Sequence, residues 1–411
     1  MKLKTITTTI VFIGLLFGAQ FTATAQGTGG ANYNQLLGQD AINAITTAVP
    51  FLLIAPDSRA GSMGDIGVST SPDANSQHWN AAKYAFIDHQ MGFSISYSPW
   101  LRNLVNDISL AYLSGYYKIN DMSSVSASLR YFSLGSIEFT DKFGVSQGSY
   151  KPNEFAIDAA YSRKLGEHLS GAVTLRYINS NLTQGQNVNG QATQVGQAIA
   201  SDVSVYYNNK ITIGKTKGKF AFGASISNIG NKISYSESLE RDFLPMNFRF
   251  GPSLTVDLDK YNKVTFAVDF NKLLVPTPPI YALDTNGNPI PQGNGYKIEK
   301  GMDPNRSVGN AIFSSWYDAP GGMSEELHEF NIGSGIEYVY DQKFFIRGGY
   351  FWEHATKGNR KYFTLGAGLK YNVLDIDISY LIPTTQRNPM ENTLRFTLLF
   401  NFDNIGEKEA K

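Results

Sequence analysis

The chain has 411 residues, 35 basic and 35 acidic side chains, no cysteine, and 17% charge against 26 Phe, 23 Tyr and 39 Gly. Zero net charge supplies no field to draw nucleic acid or anionic lipid. The missing cysteine excludes disulfides, thiolate metal sites and a lipid-modified cysteine, and the low charge argues against a string of soluble domains.

Lys2 and Lys4, the apolar stretch Ile10 to Phe17 and the small-residue site Ala23-Thr24-Ala25 read as a signal peptide over 1–25, with the mature chain starting at Gln26. Beyond it no run of 18 apolar residues occurs. The longest apolar stretch, Ala48 to Ala55, is interrupted by Pro50. A helical span is therefore excluded. Lipid demands that every backbone polar group be satisfied internally, so a closed barrel is the other way to span.

Residues 26–89 are rich in Gly, Ala and Asn and lack sustained alternation; Gln35 to Thr47 reads as a weak helix. A segment of this length fits the lumen of a barrel as a plug or hatch. Gly61, Gly64 and Gly67 recur every three residues, without the strand–helix context or lysine of a phosphate loop, and read as a close-packed turn at the base of that plug.

From Gln90 the period is two. Phe93, Ile95 and Tyr97 alternate with serines, as do Val125, Ala127 and Leu129; Leu394, Phe396, Leu398 and Phe400 alternate with polar residues for the most part. Successive strand side chains point to opposite faces, so each run has one apolar face. Arg130, Asp158, Arg176, Asp269, Asp375, Asp377 and Arg395 all share the polar parity. A basic residue facing lipid at mid-membrane costs about 2–4 kcal/mol. Strands are expected near 90–98, 106–114, 123–134, 153–164, 167–179, 200–208, 219–228, 246–257, 263–272, 327–339, 343–353, 360–372, 374–382 and 393–402.

The even connections are mostly tight, the one around Asn209 to Gly218 being longer. The odd ones include 135–152, 180–199, 229–245 and 273–326. Short turns on one rim and long loops on the other are the asymmetry of an outer-membrane barrel. The fold expected is thus an all-β membrane protein, an antiparallel transmembrane barrel of about 14 strands over 90–402, with a lumenal plug and a periplasmic tail over 403–411.

The 273–326 loop holds seven prolines and the aromatics Phe313, Trp316 and Tyr317. Exposed loop aromatics anchor partners; tucking back onto the rim or joining an aromatic girdle is the other reading. The five histidines, including His328 at an expected strand start, show no zinc spacing, and Glu325-Glu326 read as a solvated pair. No nucleophile elbow, catalytic residue, cofactor motif or nucleic-acid stripe is found.

Pro56-Asp57-Ser58-Arg59-Ala60-Gly61-Ser62-Met63-Gly64-Asp65-Ile66-Gly67-Val68, then Asp73-Ala74 and His78-Trp79-Asn80-Ala81-Ala82, resembles the start of FadL-like barrels. The flanks Ala48-Val49-Pro50-Phe51-Leu52 and Tyr97-Ser98-Pro99-Trp100-Leu101 bring it nearest to the PorV family of the type IX secretion system. On that resemblance Arg59, Gly61, Met63, Gly64, Gly67, Asp73 and Asn80 carry the plug motif, with Ala81 standing where the family commonly has proline. The resemblance implies a non-enzymatic outer-membrane shuttle without cofactor. Its partners would be a large translocon barrel, secreted cargo recognised by its C-terminal domain, a sortase-like attachment complex, and membrane lipid including lipopolysaccharide. A FadL-like channel for hydrophobic solutes and a lipid A-modifying enzyme are the alternatives. The first requires an apolar lumen, which the Ser, Thr, Asp and Arg of the polar parity disfavour. The second requires a clustered nucleophile and base.

Overall fold

The computed structural model describes residues 42–403, apart from 103–104, 106, 141–142, 186–191, 237–240, 294 and 386–387. The expected signal peptide, the first part of the Gln35 to Thr47 stretch and the tail beyond Asp403 lie outside the described residues.

Fourteen antiparallel strands form one closed barrel. They are β1 (Met91–Pro99), β2 (Ser109–Asn120), β3 (Ser123–Ser133), β4 (Asn153–Lys164), β5 (Leu169–Asn181), β6 (Gly196–Ile213) and β7 (Thr216–Gly230), then β8 (Asn247–Asp257), β9 (Asn262–Leu273), β10 (Asn331–Tyr340), β11 (Phe344–Trp352), β12 (Lys361–Tyr371), β13 (Leu374–Pro383) and β14 (Leu394–Phe402). Each pairs with its sequence neighbour, and β1 closes on β14 from Met91↔Phe402 to Tyr97↔Phe396. Closure leaves no unpaired edge at membrane depth, which is the condition for burying strands in lipid.

The alternation read from the sequence is the alternation of the wall. In β1, Phe93, Ile95 and Tyr97 are exposed on the outside while Ser94, Ser96 and Ser98 are buried within. Arg130, Asp158, Arg176, Asp269, Asp377 and Arg395 are buried on the inward face. No helix among the described residues is long and apolar enough to cross a membrane.

Several boundaries differ from the sequence reading: β2, expected over 106–114, runs from Ser109 to Asn120, and β6, expected from 200, starts at Gly196. The connection expected to be somewhat longer around Asn209 to Gly218 is a tight turn, because β6 and β7 run on and pair as far as Ile213↔Thr216. The strand expected from 327 begins at Asn331, because α4 (Met323–His328) ends just before it. His328 therefore closes a helix instead of opening a strand. The 274–330 connection is not structureless. It holds two small strand pairs, Ile280–Tyr281 with Ile298–Lys300 and Pro291–Gln292 with Gly295–Tyr296, and the helices α3 (Val308–Ser314) and α4.

Residues 48–87 lie against inward-facing groups around the ring. Ser114 of β2 and Ser124 of β3 donate to Ala74 O and Tyr84 O, and Ser170 of β5 donates to Ala82 O. Gly67 N and Val68 N donate to Asp269 of β9 at 2.8 and 3.0 Å; Gly64 N donates to Thr364 of β12 at 2.9 Å; Ser58 N donates to Thr397 of β14 at 2.9 Å. Near the outer rim Val49, Phe51 and Leu52 pack with Leu110, Phe132 and Ile178. Burying each such side chain stabilises by about 1.5–3 kcal/mol.

Candidate functional site

The lumenal segment begins with a short helix, α1 (Ser58–Gly61), whose N-cap Asp57 accepts from Ala60 N at 2.9 Å and from the Trp79 indole at 2.7 Å. A capping carboxylate satisfies donors that the first turn leaves unpaired. Arg59 then reaches the wall. Its Nε and Nη2 donate to the two oxygens of Glu337 on β10 at 3.1 and 3.0 Å, and its Nη1 donates to Asp73 at 2.8 Å. Glu337 also accepts from Arg347 of β11, which pairs with Asp377 of β13. A five-charge chain thus runs from the segment across three strands, each charge answered by an opposite one.

The motif glycines are set by close approach. The wall opposite Met63 and Gly64 carries Gly333, Gly335 and Gly349 on its inward face, and a β-carbon at any of them would overlap the segment's backbone or side chains. Gly64 has φ +79° and lies against Ser334 O and Tyr350 O. Gly61 leaves room for Arg395, and Gly67 for the Trp79 ring. Met63 is buried with Ile66 and Ala267. Asn80 caps the 3₁₀ turn Ala81–Phe86 by accepting from Ala82 N at 3.0 Å, and donates to Val68 O and Val205 O. Arg59, Asp73 and Asn80 are therefore fastenings, and Gly61, Met63, Gly64 and Gly67 are the surface that lets the segment lie flat on the wall.

Above this segment is a cavity of about 400 Å³, lined by Arg249, Glu329, Glu353, Lys357 and Arg360 together with Trp79, Phe351 and Tyr362. Arg249 lies over the Trp79 ring at 4.5 Å and donates to Asn271 at 2.5 Å. Ile45, Pro50, Leu53 and Leu273 complete the lining, so charged and apolar groups share the cavity.

The long outer loop is fixed by ion pairs that the sequence reading missed. Lys272 falls on the outward parity of β9 with Phe266, Val268 and Phe270, yet it is 1% exposed. It donates to Glu326 at 2.9 Å and to Glu329 at 2.5 Å. Lys357 pairs with Glu325 at 2.6 Å and with Glu329 at 3.0 Å, and Asn43 donates to Glu325 at 2.8 Å. Glu325 and Glu326 are thus not a solvated pair; the turn of α4 carries them onto two lysines from opposite sides of the β9–β11 rim. Burial alone would raise the Glu325 carboxyl, but the hydrogen bond and charge of Lys357, with the hydrogen bonds from Gly321 N and Asn43, together outweigh it and hold the group below its ordinary value. Asp318, buried in the same loop, is pushed up to about 6 by burial, with Glu326 and Glu329 adding repulsion against the Thr277 hydrogen bond.

The three aromatics divide. Trp316, 39% exposed, tucks back against Phe248 and Phe330 on the outer wall, as the rim reading required. Phe313 and Tyr317 are 74% and 59% exposed, and Met323 and Leu327 of α4 stand exposed beside them in the same loop. The only signal that singled out Lys272 in the sequence was its position: a lysine on the lipid-facing parity at the strand's end.

Fourteen closed strands, an apolar outer face, a polar lumen and loops sorted by rim define an outer-membrane β-barrel. The family of type IX secretion system protein PorV matches residues 37–280, more than half of the chain, and the chain belongs to that family. No curated protein matches it. Among solved structures it is similar to the Ralstonia pickettii toluene transporter TbuX, with 10% identity, TM-score 0.44, and coverage of 86% of this chain and 100% of that one. The Pseudomonas putida toluene transporter TodX gives 11%, 0.44, 88% and 98%, and a Pseudomonas aeruginosa FadL homologue gives 10%, 0.41, 88% and 100%.

Proposed function

We propose that this barrel is the cargo-binding shuttle subunit of the type IX secretion system. In this reading it accepts secreted proteins by their C-terminal domain from a large translocon barrel and passes them to a sortase-like attachment complex at the surface. Its role is non-enzymatic, and lipid including lipopolysaccharide is its surroundings. Residues 26–89 serve as the plug, 90–402 as the barrel and 403–411 as a periplasmic tail.

The observation that carries the reading is the outer loop. A loop pinned by Lys272 and Lys357 holds Phe313 and Tyr317 out in solvent with Trp316 as their footing. Exposed aromatics on a rigid base lose little entropy on binding, which suits a docking surface. The ion pairs of the lumen, Arg59 with Glu337 and Arg176 with Asp158 among them, weigh against passage of hydrophobic solutes. The test replaces Phe313, Trp316 and Tyr317 together by alanine and measures capture of a purified cargo C-terminal domain by the barrel in nanodiscs. A loss of tenfold or more, with the barrel still folded, is expected; unchanged capture removes these residues from the interface.

A further inference from the structure

β6 outruns β5 on the rim of short turns, the periplasmic one, while β8 accompanies β7 as far as Gly218. The pairing of β5 with β6 ends at Leu169↔Tyr207, whereas β6 and β7 continue to Ile213↔Thr216. Residues 209–213 therefore stand about 17 Å beyond β5 at the usual strand rise. Asn208 N donates to His168 O, towards β5. Backbone groups alternate sides along a strand, so Lys210 and Thr212 direct theirs to the same, now empty, side. An unpaired edge of this kind is a template for another strand.

The hairpin is also basic. No residue from Val203 to Ser236 is acidic, and Lys210, Lys215, Lys217 and Lys219 fall within ten residues of one another. Lys210 is the direct cross-strand partner of Lys219, and Thr212 that of Lys217. Like charges directly opposite one another destabilise a sheet. Asp88, before β1, acts on Lys219 through space, and no carboxylate among the described residues makes an ion pair with any of the four lysines.

The faces decide what the charge is for. Even positions of β6 are those buried in the lumen at Ser204 and Tyr206, so Lys210, Lys217 and Lys219 extend the lumenal face, while Ile211 and Ile213 extend the lipid-facing one. Headgroups of the inner leaflet would meet the isoleucines, not these lysines. We propose that the β6–β7 hairpin is a docking strand for an extended, acidic segment of a periplasmic protein, which adds to the free edge of β6 and pairs its carboxylates with Lys210, Lys217 and Lys219. Main-chain bonds give such strand addition its affinity and side chains its selectivity.

The test uses the full-length mature protein in phosphatidylcholine nanodiscs and two fluorescent octapeptides, one alternating Glu and Val, the other Gln and Val. The Glu peptide is expected to bind at least tenfold tighter, and its binding to weaken as salt rises. K210Q/K217Q/K219Q abolishes the preference. T212P removes one edge donor without breaking a bond to β7 and weakens both peptides; edge positions with the N–H turned to solvent accept proline. Heat-modifiable gel mobility checks that each variant is folded. Equal affinity for the two peptides, no binding of either, or full binding by T212P overturns the proposal. So does lysine-dependent co-flotation with phosphatidylglycerol vesicles in place of peptide binding, which assigns the lysines to lipid.

Discussion

Arg59 grips Glu337 with two parallel hydrogen bonds of 3.1 and 3.0 Å, and this pair ties the lumenal segment to the barrel wall. Both side chains are nearly sealed from solvent, at 13% and 5% exposure. Removing Arg59 strips buried Asp73 of its ion-pair partner and leaves Glu337 with Arg347 alone. Arg59→Ala is therefore expected to lower barrel stability by about 3 kcal/mol, read from the urea midpoint in detergent. Arg59→Lys recovers only part of this, because an ammonium cannot make the fork. A midpoint for Arg59→Ala equal to that of the parent protein would show the segment is held by other contacts.

Gly348 and Gly349 are neighbours on β11 and give a paired test. A β-carbon at Gly349 would overlap Met63 and Gly64, whereas one at Gly348 meets nothing closer than 3.8 Å. Gly349→Ala is expected to cost about 3 kcal/mol by overpacking, and to raise conductance in planar bilayers as the segment is displaced. Gly348→Ala stays within about 0.5 kcal/mol with conductance unchanged. Equal behaviour of the two variants would contradict the flat contact between segment and wall.

Ala81 is the first residue of the 3₁₀ turn that Asn80 caps, and Asn80 is extended at φ −167° and ψ 100°. Proline suits a first helical position and an extended residue before it. Ala81→Pro, which restores the residue common in the family, is expected to stabilise by about 0.5–1 kcal/mol, mainly by restricting the unfolded chain. The urea midpoint checks it, and a fall in that midpoint would mean the backbone here cannot accept the ring.

Asp318 makes the outer loop pH-dependent. Its carboxyl is raised to about 6 from an ordinary 3.8, so the folded loop holds the proton more tightly than the unfolded one. The contribution to loop stability is full below pH 4 and is lost as pH rises through 6. Hydrogen exchange across 308–328 should slow as pH falls from 7 to 5, after correction for the intrinsic rate. Asp318→Asn removes that dependence and protects the loop at pH 7.5 by about 3 kcal/mol at most. The same slope in parent and variant would locate the effect elsewhere.

The wall was legible because its physics is local. Alternation at Phe93, Ile95 and Tyr97 or at Leu394, Phe396 and Leu398 reports the two faces residue by residue, and the parity of Arg130 and Arg176 reports which face is wet. The loop latch was not, because Asn43, Lys272, Glu325, Glu329 and Lys357 meet only when the rim closes and share no spacing. The glycine contact lay between these cases. Gly64 stood out in its motif, but Gly335 and Gly349 look like any glycines of a strand until the segment is laid against them. Glu326 misled for the same reason, since a carboxylate in a proline-rich loop gives no local sign of the Lys272 beneath it.

The most direct test of the shuttle assignment is a native-detergent purification of the tagged protein from its own outer membrane, with mass spectrometry of what accompanies it. The account predicts a very large barrel, a sortase-like protease or secreted proteins sharing one C-terminal domain. Recovery of the barrel alone, carrying fatty acid or another apolar molecule, would contradict it.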